Sequence, residues 1–287
     1  MPSYQTPDPI DVAITLQVGA VELIATDRAD TVVTVAPTSA SKAADRRGVE
    51  ETSVDFDGRR LTIRGPRARI SIIGPTESVD VRVELPTSSR VTAELSYGGV
   101  RTTGRLGATR IKAMTGPVDI DATADLWLRA GHGNATVGAI DGSAEVTADH
   151  GQIRIDTIAG DALLRASHGS IQLGEATGAL DAKLSYGDLE VVRADASVTA
   201  KTAYGSIRLS RVSAGSIDVE SGYGQVSVGV RPGVLAWLDL STKGGRVRNE
   251  LDSEGAPAPA DATAAPDATV AVRARTAHSD ISIQRAR

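Results

Sequence analysis

All four histidines of the chain, and every tyrosine except Tyr4, stand immediately before a glycine or, once, a serine. The series reads Tyr97-Gly98, His132-Gly133, His150-Gly151, His168-Gly169, Tyr186-Gly187, Tyr204-Gly205, Tyr223-Gly224 and His278-Ser279. If these positions lie over one another on successive turns, His132, His150 and His168 are about 4.8 Å apart. Three imidazoles in a row could hold a transition metal or an anion. Tyrosine continues the same series, however, and does not replace imidazole in a repeated metal site. A straight row also lacks the tetrahedral convergence that zinc requires. The reading is a structural ladder: ring bodies packed at a corner, polar tips hydrogen-bonded or wet. No metal and no cofactor are expected.

Other candidate chemistry is weaker. Asp149-His150 and Ser167-His168 are adjacent pairs, and neighbours on a strand point to opposite faces, so adjacency does not make them catalytic partners. No glycine-rich loop leads into a helix, which leaves a phosphate cradle without support. Asp119, Asp121, Asp156, Asp188 and Glu190 occupy outward positions that neighbouring repeats fill with Gln, Ser or Arg. Glycoside cleavage needs a convergent carboxylate pair, and these read instead as a solvated face. No catalytic residues are assigned. Trp127 and Trp237 are different. Counting by twos puts Leu126, Leu128 and Ala130 inward and Trp127 outward, and likewise Ala236, Leu238 and Leu240 inward and Trp237 outward. An outward Trp is a contact candidate; the competing expectation is that an excursion loop covers each indole.

The elements that must position these residues follow from the repeat. Glycines 98, 116, 133, 151, 169, 187, 205, 224 and 245 are separated by 18, 17, 18, 18, 18, 18, 19 and 21 residues. From each glycine, apolar residues recur at offsets 2 and 4, often 7, and again at 11, 13 and 15. Alternation by two is a strand signal, so each coil carries two short strands. The inward parity switches near the glycine, where a corner or bulge with positive φ is required. Two short strands cannot bury their own apolar face; stacking does it for them. The expected fold is an all-β single-stranded β-helix or β-solenoid of about 18 residues per coil with an irregular N-terminal β cap. A left-handed hexapeptide helix fails because inward residues do not recur every six, and propeller blades need longer units.

The expected organisation is a cap over residues 1–95, continuous with the solenoid, then regular repeats over 96–251. An Ala/Pro-rich insertion follows at 252–267, and a final coil at 268–287 closes the stack. In the N-terminal part, Asp11–Val18, Ala20–Ala25, Thr31–Val35, Leu61–Arg64 and Val79–Leu85 read as strands. Gly19 and Gly58 echo the repeat, and Pro37–Glu51 is an excursion with a short helix. Aromatics are only 3% of the 287 residues, which suits thin coils filled by Val, Ile, Leu and Ala. The net charge of −5 is spread without long runs, so a nucleic-acid groove is not expected. There are no cysteines, which excludes disulfides and thiolate metal sites. No stretch reaches the roughly 20 apolar residues of a membrane span, and Met1–Ile10 lacks a signal-peptide pattern, so the expected location is the cytoplasm.

These residues resemble a known bacterial family. The glycine-punctuated series, the Leu235-Ala236-Trp237-Leu238-Asp239-Leu240 segment, the turn Gly245-Arg246-Val247-Arg248-Asn249 and the closing Arg273 to Ile281 segment are similar to the adhesin-like, or toastrack, family of β-strand-repeat proteins, particularly its actinobacterial members. The resemblance runs from about Ile10 to Arg287. It implies a β-helix-like stack, no established enzymatic activity, and an association with envelope-stress sensing or adhesion and a membrane stress-response partner. The expected function is therefore a non-catalytic scaffold or interaction module. The alternative is a carbohydrate-binding or carbohydrate-processing β-helix. The oligomeric state is not specified.

Overall fold

The computed structural model of the chain describes residues 2–66, 77–251 and 269–286. It divides into two compact units, Met1–Gly142 and Ser143–Arg287. Both are built from mainly parallel strands in two sheets that enclose an aliphatic core.

The second unit shows the repeat most plainly. Ile153–Ile158 and Ala162–His168 form one coil, and Ile171–Ala176 with Leu180–Tyr186 form the next. From Ile153 to Val212 equivalent strands pair in parallel without slippage, so Ile153, Ile171, Leu189 and Ile207 are consecutive partners; the next pairing, with Val226–Val230, shifts register between Leu209 and Val212. All four are buried. The predicted inward offsets hold: in the coil after Gly151, Ile153, Ile155, Ile158, Ala162, Leu164 and Ala166 are all buried. Alternation along each strand places one row in the core and the next in water.

The parity switch occurs at the glycine. Gly187 and Gly205 have φ of 144° and 153°. A methyl group on Gly187 would lie 2.1 Å from the Gly169 carbonyl oxygen, and one on Gly205 would lie 2.0 Å from that of Gly187. Layer spacing is set by the backbone ladder at this corner, and only hydrogen fits.

The end of this unit departs from the expected order. The described residues of the expected final coil, 269–286, come last in sequence but not last in space. Thr269–Thr276 pairs on one side with Gly215–Ser221 and on the other with Leu235–Thr242. Ile281–Arg285 likewise lies between Val226–Val230 and Val247–Asn249. The outermost layer is therefore the segment from Leu235 to Asn249, and the expected closing coil is an inner one. The physical reason is visible in the side chains. Val270, Val272, Ala274 and Thr276 alternate strictly and are buried between two neighbours, whereas Leu235–Thr242 has no buried residue. Both inward rows are apolar, and the β-branched Val270 and Val272 suit a strand paired on both sides better than Leu238 and Leu240 do. The insertion expected at 252–267 lies outside the described residues.

The first unit uses the same parallel stacking from Asp11 onward. Asp11–Val18 lies between Arg60–Arg64 and Arg90–Tyr97, and Val21–Thr26 lies between Val79–Pro86 and Val100–Thr103. Gly19 belongs to the glycine column, since a methyl group on Gly98 would lie 1.7 Å from its carbonyl oxygen. Gly58 does not. It turns an antiparallel hairpin between Ser53–Phe56 and Arg60–Arg64, with open space around its α-carbon. Asp57 closes that turn by accepting the N–H groups of Arg59 and Arg60 at 3.0 and 2.8 Å. These hydrogen bonds hold its carboxyl below the usual carboxylate range. The hairpin, together with the antiparallel strands Ser3–Gln5 and Asp30–Pro37, occupies the sheet edges at this end. The outermost strands there, Ser3–Gln5 and Ser53–Phe56, have only three and four residues, and such short edges limit further strand addition.

The expected helix is present at Ala43–Glu51. Its buried Asp45 accepts the N–H groups of Ser39 and Ser78 at 3.0 and 3.1 Å, tying the helix start to the strand that begins at Val79. Nearby, Arg28 donates to Asp30 at 2.8 Å and to Glu84 at 2.5 Å. Hydrogen bonds from this guanidinium are the main reason both carboxyls titrate below their ordinary values. A depressed carboxylate stabilises the fold above the ordinary carboxylate range and ceases to do so as pH falls through the folded-state value. Urea titrations of Arg28→Met and the parent between pH 7 and pH 2 should therefore show a stability difference that is largest near neutrality and shrinks in acid. A difference independent of pH would contradict this assignment.

Candidate functional site

The residues before the glycines form a column of rings. In the second unit the rings of His150, His168, Tyr186, Tyr204, Tyr223 and His278 stack in that order. Centroids are 4.7, 5.1, 5.0, 4.9 and 4.6 Å apart, and the first four pairs lie within 8° of parallel. The column exists because His150, His168, Tyr186 and Tyr204 each end their second strand, one residue before the glycine bend, and the strands are in register: His150 pairs with His168, His168 with Tyr186, and Tyr186 with Tyr204; Tyr223 and His278 lie two residues beyond the ends of theirs. Stacked rings of this kind contribute about 0.5–1.5 kcal/mol per pair beyond area burial. The column is also open to solvent. Tyr186, Tyr204 and Tyr223 are 51%, 48% and 57% exposed.

In the first unit Tyr97 and His132 occupy the same register with Thr115 between them, so ring does not meet ring there. Above His278 the column stops. The outermost layer places Gly244 there, whose α-carbon faces His278 and Ala277. Among the described residues no group of three or more His, Asp or Glu side chains could hold a metal ion.

The carboxylates read as solvated are outward, and several have local tasks. Asp121 accepts the Gly104 N–H at 2.8 Å, and Asp188 accepts the Ser206 N–H at 2.7 Å. Asp119 and Asp156 lie 3.5 and 3.8 Å from the guanidinium groups of Arg101 and Arg154. In the second unit Arg193 lies 2.7 Å from Asp195 and 3.5 Å from Glu175. The Asp195 carboxyl is held low against the opposing cost of burial, by hydrogen bonds from Arg193 and Ser213. Arg101–Asp119 and Arg193–Glu175 join neighbouring layers, and Arg154–Asp156 and Arg193–Asp195 lie within one coil; none of them forms a convergent acid–base pair.

The two indoles differ. Trp237 is outward and 57% exposed, next to Leu235 on the same face of its strand. Trp127 is outward and half-buried, and its cover is not a loop. The Arg110 guanidinium lies 3.6 Å from the centroid of its ring. Arg110 and Trp127 are direct partners on adjacent strands, so the cation sits over the π face as cation–π attraction favours. That pairing escaped the reading of the sequence; the signal was Arg110 at the outward repeat position equivalent to Trp127.

A family model for the Toastrack DUF4097 proteins matches residues 11–235. The chain belongs to the toastrack family. Among solved structures, this toastrack chain is similar to an adhesin-like protein from Bacteroides fragilis NCTC 9343, with 12% identity over 98% of this chain and 95% of that one, at a TM-score of 0.45. An adhesin-like protein from Parabacteroides merdae ATCC 43184 shares 15% identity over 80% and 94% of the two chains, at a TM-score of 0.41. A crystal structure described as a lipid-binding protein from Parabacteroides distasonis ATCC 8503 shares 13% identity over 100% and 96%, at a TM-score of 0.35. None of these three is actinobacterial. No curated protein matches the toastrack chain. Among its described residues no helix is long and apolar enough to cross a membrane.

Proposed function

We propose that this toastrack protein is a non-catalytic scaffold that presents an outward strand face to a protein partner. One observation carries the reading: Trp237 projects from the outermost strand, 57% exposed, with Leu235 exposed beside it. An exposed Trp on a rigid strand loses little conformational freedom on binding and is a common anchor of protein contacts. Trp127 is a separate contact candidate within its own unit, where Arg110 covers its ring. The partner is a membrane stress-response component, as the sequence resemblance implies, and the scaffold works from the cytoplasm.

Capture from native cells with the parent and with Trp237→Ala tests this. Membrane stress-response proteins should co-purify with the parent and fall at least fivefold with the variant, whose stability should be unchanged because the indole packs against no core. Identical captures from both proteins, or recovery of the native chain outside the cytoplasm, would overturn the reading.

A further inference from the structure

The ring column of the second unit has properties that packing alone does not require. Its rings are about half exposed, and five successive spacings fall between 4.6 and 5.1 Å. Stacking hides ring faces and turns ring edges and polar tips outward. Among the described residues the hydroxyls of Tyr186, Tyr204 and Tyr223 make no hydrogen bond to protein. The column is thus a comb of free phenol groups at a constant interval of about 4.8 Å, the strand spacing itself.

The rows beside the comb constrain the ligand's charge. On one side, just past the glycines, stand Gln152, Ser170, Asp188, Ser206, Gln225 and Asp280. On the other, just before the rings, stand Asp149, Ser167 and Ser185. Between His150 and His278 neither row contains Lys or Arg, and each contains Asp; Lys243 and Arg246 enter the two rows only in the outermost layer, beyond the last ring. A polyanion would meet like charge here, and nucleic acid binding depends on phosphate neutralisation by cations. The period constrains the ligand's form. An extended peptide advances about 3.3 Å per residue with side chains alternating, so it falls out of step with the comb within a few rungs. A pyranose joined through opposite ring carbons advances by nearly the column's own interval, and offers hydroxyls to phenol, amide and carboxylate groups at every step.

We propose that the column from His150 to His278 binds a neutral, straight, β-linked glycan lying along the stack, one sugar to one ring. The site extends the non-catalytic contact reading above to a second surface, and it does not use Trp237. Each rung adds one weak set of contacts, so affinity accumulates with chain length.

Calorimetric titration with cello-oligosaccharides of two to six sugars tests the proposal, with maltohexaose as a curved, α-linked control. Affinity should rise at least tenfold from the disaccharide to the hexasaccharide, and maltohexaose should bind at least tenfold more weakly than cellohexaose. Tyr186→Phe/Tyr204→Phe, which keeps both rings and deletes both hydroxyls, should weaken cellohexaose at least fivefold with unchanged thermal stability. Affinity independent of length, no binding of cellohexaose at millimolar concentration, or equal binding by the double variant would overturn the proposal. Failure here leaves the Trp237 capture result standing, and a failed capture leaves the titration intact, so the two readings fall separately.

Discussion

Gly187→Ala should lose roughly 4 kcal/mol or more of stability, enough to leave little folded protein at ordinary temperatures. Two costs add at this position. The backbone is held at φ 144°, where a side chain is strained. The new methyl group would also lie 2.1 Å from the Gly169 carbonyl oxygen and 2.6 Å from its carbon. Both are backbone atoms of the adjoining layer, so relief requires parting two hydrogen-bonded layers, including the contact from the Gly169 N–H to the Tyr186 carbonyl at 2.9 Å. Gly58→Ala isolates the first cost. Gly58 has φ 96° with nothing within 4 Å of an added methyl group. It should lose only about 1–2 kcal/mol. Urea midpoints of the two variants decide the matter: values within 1 kcal/mol of each other would show that close layer contact is not what demands glycine in the column.

Ile171→Ala should cost about 2–5 kcal/mol, with the upper part of that range expected here. Ile171 is fully buried, and its neighbours in the column are Ile153 below and Leu189 above. Backbone hydrogen bonds hold the layers at their spacing, so the surroundings cannot collapse into the cavity. The same geometry predicts coupling. Leu189 shares the cavity, so the double variant Ile171→Ala/Leu189→Ala should depart from the sum of the singles by more than 0.5 kcal/mol, the interval beyond which contacting sites are distinguished from independent ones. Tyr204→Ala provides the contrast. It deletes a larger side chain that is already half in water, and should cost no more than the two stacking contacts it makes, about 1–3 kcal/mol. Equal losses from Ile171→Ala and Tyr204→Ala would remove the distinction drawn between core ladder and surface column.

The reading of Trp127 and Trp237 as outward required only the period-two count from a neighbouring His or Thr. Their different surroundings did not follow from it. Whether an outward indole is bare or covered depends on the residue one layer away, and Arg110 lies one coil earlier in sequence. The carboxylates were legible as surface groups for the same reason that their individual partners were not: the repeat gives the face, and the neighbouring layer gives the contact. Gly58 shows the converse failure. In sequence it looks like another column glycine, but the strands around it run antiparallel, and a tight hairpin demands positive φ as a solenoid corner does.

What the amino-acid order determined by itself is everything that repeats. The 18-residue period, the inward offsets, the glycine corner and the ring column are each stated many times along the chain, and stacking in register turns each statement into a continuous row. The tertiary structure alone decided the order of layers where repetition ends. Residues 269–285 slip between 215–230 and 235–249, and Arg60–Arg64 takes the far side of Asp11–Val18. At such places several strands of similar pattern compete for one edge. The winner is the arrangement that buries the most apolar surface across distant segments, a sum no local stretch of sequence contains.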